Sequence, residues 1–357
     1  MTKPTKKIKI SDLKTFCKES LIEQGMSEKN AGITAEVLAE TDAYGTHSHG
    51  TVNLFNYVKK AKAGGLDITA DPVVVKDGPA FSIIDGQNGI GMVPAYMGMD
   101  LACKKAKEMG IGIVVVRNST HFGAAGYYSN MAALRGYFGI SMSNVDPNMT
   151  VPGAKGMVIG NNPIAYAAPA NKTPTVCLDI AMSNVASLKV VKARKEGKSI
   201  PETWLVDKDG IPTTDPSHYP EEGAMQPMAA HKGYGLSVMV EMLTGGLSDG
   251  NMSMLNIVSW LFDIEEPNRV CHTFIAIDIE QFIGKETFTK KIDAMVDALH
   301  NAPKAKGSDR IYIPGEMEWE NHKKAEAGLV LPPNVVEALE SLQEQSGIAI
   351  NWMEDEE

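Results

Sequence analysis

The run Ile111-Gly-Ile-Val-Val-Val116 constrains this chain more than any other stretch. It is continuous, apolar and rich in β-branched residues, so it reads as a strand, ending near Arg117, that is buried on both faces. Such a strand needs covering layers. Helical patterns supply them: Met92 to Gly110, rich in Ala and Met, precedes the run, and about Ala124 to Arg135 follows it. The run falls far short of the ~18 apolar residues that suggest a membrane span, so no membrane partner is expected.

The same alternation continues downstream. Strands fit at Phe138–Ser143, Ile164–Ala168, Val176–Ile180 and Phe274–Ile279, and helices at about Leu188–Glu196, Gly233–Gly245 and Lys285–Ala298. Pro72–Val75 and Ala80–Ile84 flank Asp77-Gly78 and read as a hairpin. Both chain ends are helical instead. Ser11 is a candidate N-cap for a helix to about Gln24, and Ser27 for a second. A third runs from Val52 to Ala63 and stops at Gly64-Gly65, and the tail is helical from Leu331 to Ser346 before a frayed acidic end. At 357 residues the chain exceeds the usual reach of one core. We expect a helical domain made of residues 1–75 with about 318–357, around a sheet domain at 76–317 of α/β or α+β character.

Charge narrows the partners. Asp plus Glu number 44 against 34 Lys plus Arg, a net −10, and no basic stripe is present, which argues against a nucleic-acid partner. The basic segment Met1–Ile10 has no apolar region behind it and does not read as a signal peptide. Cys17, Cys103, Cys177 and Cys271 form no CxxC pair and no zinc spacing, which fits reduced thiols in the cytoplasm.

Five segments could carry chemistry. Thr46-His47-Ser48-His49-Gly50 packs two imidazoles and a hydroxyl into the connection between two predicted helices, and histidine suits proton transfer near neutrality. Its plain alternative is a surface loop with a helix-capping Ser48. Arg117-Asn-Ser-Thr-His121-Phe-Gly-Ala-Ala-Gly126 leaves the buried strand and opens a helix, a good place for a catalytic histidine, although a structural histidine bonded to backbone fits too. Pro152-Gly153 with Asn161-Asn-Pro163 is a turn-rich region. His231-Lys-Gly-Tyr-Gly235 sets a lysine at a helix start, where charge and N–H groups can hold a phosphate or simply turn the chain. Ile313-Pro-Gly-Glu316 has the composition of a turn. No G-x-G-x-x-G follows a strand; Gly86-Gln-Asn-Gly-Ile-Gly91 has the wrong spacing, so a dinucleotide here would not bind in the Rossmann manner.

In this order the segments resemble the malate/L-lactate dehydrogenase family of the non-Rossmann type. That family also holds ureidoglycolate dehydrogenase, 2,3-diketogulonate reductase, sulfolactate dehydrogenase and piperideine-2-carboxylate reductase. The matching stretches are Ser48-His-Gly50, Asn118 to Tyr128, Asn162-Pro163, Leu178-Asp-Ile-Ala-Met-Ser183, His231 to Gly235 and Pro314-Gly-Glu316. The resemblance implies a central mixed sheet domain of the sulfolactate-dehydrogenase-like type plus a helical domain formed by both chain ends. It implies an oxidoreductase that moves hydride between NAD or NADP, with NAD favoured, and a small 2-hydroxy or 2-oxo acid. A homodimer holding an extended cofactor near the subunit boundary goes with it. By carry-over His49 and His121 are the acid/base candidates, and Ser48 bonds the substrate or relays a proton. Asp179, Ser183, His231, Lys232, Gly233, Pro314, Gly315 and Glu316 fall in cofactor-contacting stretches.

One position departs from the pattern. Where the family carries an arginine that clamps a substrate carboxylate, this chain has Asn53, although Tyr57 one turn on does match. An amide cannot replace a bidentate guanidinium like for like. Either Arg117 or a nearby lysine supplies the cation, or the substrate differs from the usual 2-oxo acid. Two other readings remain open: a metal-dependent hydrolase or lyase using His47, His49 and His121, and a catalytically inactive relative that binds a ligand.

Overall fold

The apolar run at Ile111 is the third strand of a seven-stranded mixed sheet. The computed structural model describes residues 4–354, so the outermost residues of both termini, including most of the acidic end, lie outside it. In chain order the elements begin with β1 (Lys6–Ile8), α1 (Ile10–Glu23), α2 (Glu28–Ala43), α3 (Leu54–Lys62), β2 (Val73–Asp77), β3 (Phe81–Asp85) and α4 (Met92–Met109). Then come β4 (Ile111–Ser119), α5 (Ala125–Leu134), β5 (Tyr137–Ser143), β6 (Ile164–Pro169), β7 (Thr175–Ile180) and α6 (Ser187–Glu196). Three short strands, β8 (Leu205–Val206), β9 (Pro212–Thr213) and β10 (Ala224–Met225), precede α7 (His231–Glu241). The chain ends with β11 (Val270–Asp278), α8 (Ile279–Phe282), α9 (Lys285–His300), α10 (Glu316–Ala325), β12 (Leu329–Leu331) and α11 (Pro333–Ser346).

The large sheet runs β2-β3-β4-β11-β5-β6-β7, antiparallel throughout except for the parallel pair β3–β4. One row across it explains the helix layer. Gly112, Ala276, Gly139, Ala167 and Cys177 are register partners on successive strands from β4 to β7. Small side chains there let α4 and α5 lie almost on the backbone. A Cβ on Gly112 would come within 2.1 Å of Ala102 O on α4, and one on Gly139 within 2.7 Å of Ser129 O on α5. The opposite face, with Ile140, Met142, Ile164 and Ile275, packs on Val240 of α7 and on the region of β8 to β10.

Both chain ends fold over the α4–α5 layer. Leu38, Tyr57, Val336 and Leu339 belong to the same continuous apolar cluster as Met99, Val116 and Phe274. β1 pairs antiparallel with β12, joining the two ends. The sequence expectations missed this pair, α10 and the strands β8–β10, which are too short to carry a period-two pattern. The N-cap of α1 is Lys9, not Ser11, because the chain turns into the helix directly from β1. Ser27 does cap α2, accepting the Asn30 N–H.

Candidate active site

The loop between α2 and α3 is built on Asp42. This carboxylate, fully buried in the last turn of α2, accepts the backbone N–H of Thr51 at 2.8 Å and the Thr51 hydroxyl at 2.6 Å. Its other oxygen takes His47 Nδ1 at 2.8 Å. Gly50 is needed because a Cβ there would lie 2.3 Å from the same carboxylate. His47 is thus committed to Asp42, and the loop presents Ser48 and His49, joined by an Oγ···Nδ1 bond of 2.8 Å. The Asn53 side chain turns back to donate to Ser48 O at 2.9 Å.

The second loop leaves the end of β4. Thr120 anchors it, donating to Gly89 O at 3.0 Å and accepting the Gly91 N–H at 2.9 Å. Asn88 N–H bonds Asn118 O and Gly86 N–H bonds Arg117 O, so the Gly86–Gly91 segment is a cradle for this loop. Gly123 (φ +80°) passes over Val37 of α2 and the carbonyl of His49, a left-handed turn that a Cβ would strain. His121 therefore meets His49 with ring centroids 5.5 Å apart and planes 28° from parallel.

Two more aromatic groups complete the constellation. Tyr57, fully buried on α3, bonds His121 Nδ1 through its hydroxyl at 2.5 Å. Trp260 stacks on the imidazole of His121 at 4.5 Å and 13°, and lies 5.3 Å from Tyr57. The surrounding protein depresses the His121 pKa well below the ordinary 6.5, and charge on His49 or His272 would push it further down. His49 is lowered by the same desolvation. Tyr57 is pushed far up and keeps its proton. Both histidines are only half-buried, so each residue keeps some accessible surface. Nearby, burial raises the Asp146 carboxyl to about 6.

Other residues singled out in the sequence lie elsewhere. The Arg117 guanidinium is engaged by Asp85 at 3.2 Å and Asp249 at 3.3 Å, not by the histidine pair. Asp179, Ser183, His231 to Gly233 and Pro314 to Glu316 converge along β7 and its continuation. Cys177 N–H, two residues before Asp179, bonds Pro314 O at 3.1 Å, and Gly315 (φ +87°) closes against Cys177. Glu316 locks its own turn through the Ile313 N–H, His300 and Arg310. Ser183 pairs with Pro227, and Met228 N–H bonds Met182 O at 2.8 Å. This seats Gly233, whose missing Cβ would sit 2.5 Å from Met228 O. Asp179 accepts the Gly126 N–H at 2.7 Å in the first turn of α5, tying β7 to the helix that follows His121. Packed protein and Glu318 raise its carboxyl to about 6, against that N–H. Among the described residues no three His, Cys, Asp or Glu side chains converge as a metal site.

Residues 8–340 match the family model described as malate/L-lactate dehydrogenase. The chain belongs to that family. It is 38% identical to malate dehydrogenase of Pyrococcus horikoshii over 94% of each chain. It is 33% identical to ureidoglycolate dehydrogenase (NAD+) of Escherichia coli K12, covering 89% of this chain and 90% of the relative. The solved sulfolactate dehydrogenase of Methanocaldococcus jannaschii superposes with a TM-score of 0.89 at 37% identity, over 96% of this chain and 98% of that one. This malate/L-lactate dehydrogenase family member is accordingly an oxidoreductase of the nicotinamide-dependent kind.

The strip along β7 fits such a cofactor. β7 is an edge strand, and at its end α7 begins with exposed His231 and Lys232. Ala229 and Ala230 both hold positive φ, 46° and 52°, just before that helix. Strained backbone of this kind concentrates at ligand sites, and a cation at a helix N-terminus suits phosphate. Lys232 and the first turn of α7 would hold the phosphates, with Asp179 and Ser183 alongside.

Sequence reasoning overlooked Asp42, Trp260 and Lys60, treated below. Asp42 left no signal that sets it apart, since Glu40 in the same helix end is acidic too. Trp260 left none, since its segment has neither periodicity nor motif.

Proposed function

We propose that this protein interconverts a small 2-hydroxy acid and the matching 2-oxo acid with NAD or NADP, NAD favoured, and that the His49–His121 pair handles the proton. The observation that carries this reading is the pair itself. Two stacked imidazoles are each tied to a hydroxyl through Nδ1, which leaves Nε2 of each for a substrate oxygen. A bound nicotinamide supplies the hydride acceptor or donor. Everything else falls to the chain.

The Gly123 N–H points at His121 Nδ1 at 3.4 Å, and with the Tyr57 hydroxyl donating to the same atom the ring proton sits on Nε2, poised to bond a carbonyl or alkoxide. To take a proton from a substrate alcohol, His121 must first carry its own on Nδ1. Tyr57 accommodates this by turning its hydroxyl to accept, because its high pKa keeps it a neutral partner. Ser48 plays the corresponding part for His49. A histidine held neutral is ready as a base in the oxidation direction.

Asn53 lacks the charge to clamp a carboxylate, and its amide is already engaged by Ser48 O. The names of the relatives, acting on malate, sulfolactate and ureidoglycolate, support a small hydroxy acid as the class. We also read the protein as a cytoplasmic homodimer; its four cysteines are free and buried, as a reducing compartment favours. The test is oxidation of NADH and NADPH with a panel of 2-oxo acids, read by loss of reduced-nicotinamide absorbance. Turnover that disappears in His121→Gln or His49→Gln, with cofactor affinity kept, supports the reading. Near wild-type kcat in both variants would sink it.

A further inference from the structure

The segment from Ile257 to Arg269 contains only turns, yet it supplies a wall of the site through Trp260. Two non-glycine residues in the left-handed region bracket it, Asn256 (φ 72°) and Arg269 (φ 65°). Lys60 holds it down. This residue lies on α3 one turn after Tyr57, is fully buried, and gives its ammonium to the carbonyls of Asp263 at 2.7 Å and Glu266 at 2.6 Å. Gly65 makes room for the same stretch: a Cβ there would stand 2.3 Å from Ile264 O and 2.7 Å from Glu266 O. Within the segment, Asp263 accepts the Ser259 N–H at 2.9 Å and Asn268 donates to Val258 O.

A buried ammonium is a costly way to secure a loop, since an apolar side chain of similar volume is often at least as stabilising. What the ammonium adds is direction: it fixes two carbonyls, and so the chain between them, at one place on α3. Asp263, Glu266 and Asp146 supply the balancing negative charge.

We propose that Lys60 is a positioning residue for the histidine pair, locking the 257–269 segment onto α3 so that Trp260 covers one face of His121 and keeps water from it. The proposal rests on the role given to His121 above. The titratable groups facing His121 are Tyr57 from α3, His49 from the α2–α3 loop and His272 from β11; Trp260 brings bulk without charge. Freeing the segment would put water where the indole lies, and the imidazolium would become easier to form.

Two variants loosen the segment from opposite sides, Lys60→Met by removing the anchor and Gly65→Ala by pushing on the carbonyls of Ile264 and Glu266, the second of which Lys60 also holds. Lys60→Arg, which keeps a cation in the niche, should fall between wild type and Lys60→Met. Trp260 emission is isolated by subtracting a matched Trp260→Phe spectrum, and the His121 titration is followed by NMR with His121→Gln as the assignment. In Lys60→Met and Gly65→Ala, the emission should shift to the red. The His121 titration should move up toward 6.5, carrying the acid limb of the oxidation rate upward by about one pH unit. Folded variants with lower Tm but unchanged Trp260 emission and His121 titration would overturn the proposal and leave Lys60 a purely structural role. If Lys60→Met does not fold, Gly65→Ala decides alone. Neither spectroscopic readout needs substrate. A shifted titration in a protein with no turnover would therefore uphold the positioning role and refute only the reaction assigned above.

Discussion

His121 and His272 lie close enough that charge on His272 would disfavour charge on His121, and both imidazoles are held neutral, yet their surroundings give them opposite work. His272 lies in β11 with no exposure, stacked on Phe122 at 4.4 Å. Both its nitrogens are satisfied, Nδ1 by Ser143 at 2.9 Å and Nε2 by Ser119 at 2.8 Å. Burial lowers it to about 3, with no edge left for a ligand. His121 leaves the neighbouring strand in a loop, is bonded through Nδ1 alone among the described residues, and is only half-buried. A depressed histidine pKa therefore does not separate a proton carrier from a core residue. The count of satisfied nitrogens and the access of the remaining one do.

The sharpest break of this comparison is an exchange of phenotypes. His121→Gln should lose about 10²–10⁴-fold in kcat, the usual worth of a positioned acid/base, with Tm little changed and cofactor affinity kept. His272→Leu should do the reverse, losing about 1–3 kcal/mol of stability as its serines lose a partner, with kcat of the folded fraction within a few-fold of wild type. Steady-state kinetics and urea unfolding on both variants check this; swapped outcomes would reverse the two assignments.

Next in size is Tyr57→Phe. It removes the side-chain bond that orients His121, the only one to its ring among the described residues, and should cost about tenfold in kcat with a smaller change in KM, measured at saturating cofactor.

Acid stability probes what the two histidines share, the cost of charging a desolvated imidazole. His272 titrates at about 3 in the folded protein and near 6.5 when unfolded. Below about pH 6.5 the unfolded chain binds a proton that the folded chain refuses, so stability should be fully present above that pH and fall as pH drops toward 3. Urea midpoints across this range should show the decline, and His272→Leu should make it shallower, with His121 and His49 keeping their share.

The smallest effect expected is that of Asp179→Asn. Its carboxylate accepts the Gly126 N–H at the start of α5, but the surroundings that raise the carboxyl to about 6 disfavour the charge; the neutral amide, whose oxygen can still accept that N–H, should leave Tm at neutral pH unchanged or slightly higher.

Much of the sheet and the helices around it was legible because long elements carry their own periodicity. Ile111–Ser119 and Met92–Met109 declare themselves through apolar runs and helical spacing. The strands β1, β8, β9, β10 and β12, of two or three residues each, do not. Among the site residues, the motifs around Ser48-His49 and His121 drew attention because dense proton carriers beside turn residues are chemically conspicuous. What could not be read was their mutual arrangement, or the fate of Arg117, whose guanidinium is taken up by Asp85 and Asp249 from separate segments. The Gly86–Gly91 stretch, set aside in the sequence because its spacing does not fit a dinucleotide fingerprint, proves to cradle Thr120.

By itself the amino-acid sequence determined the layered α/β organisation, the edges of most long elements and the chemical types gathered in each motif. Those follow from local propensity, periodicity and side-chain chemistry, all properties of neighbours along the chain. Only the tertiary structure decided that His49 and His121 stack, that Tyr57 and Trp260 close on them, and that a lysine on α3 reaches a segment some two hundred residues away. Those are distances between parts of the chain that share no local pattern. They are set when the small-residue row of the sheet lets α4 and α5 settle and both chain ends pack over them.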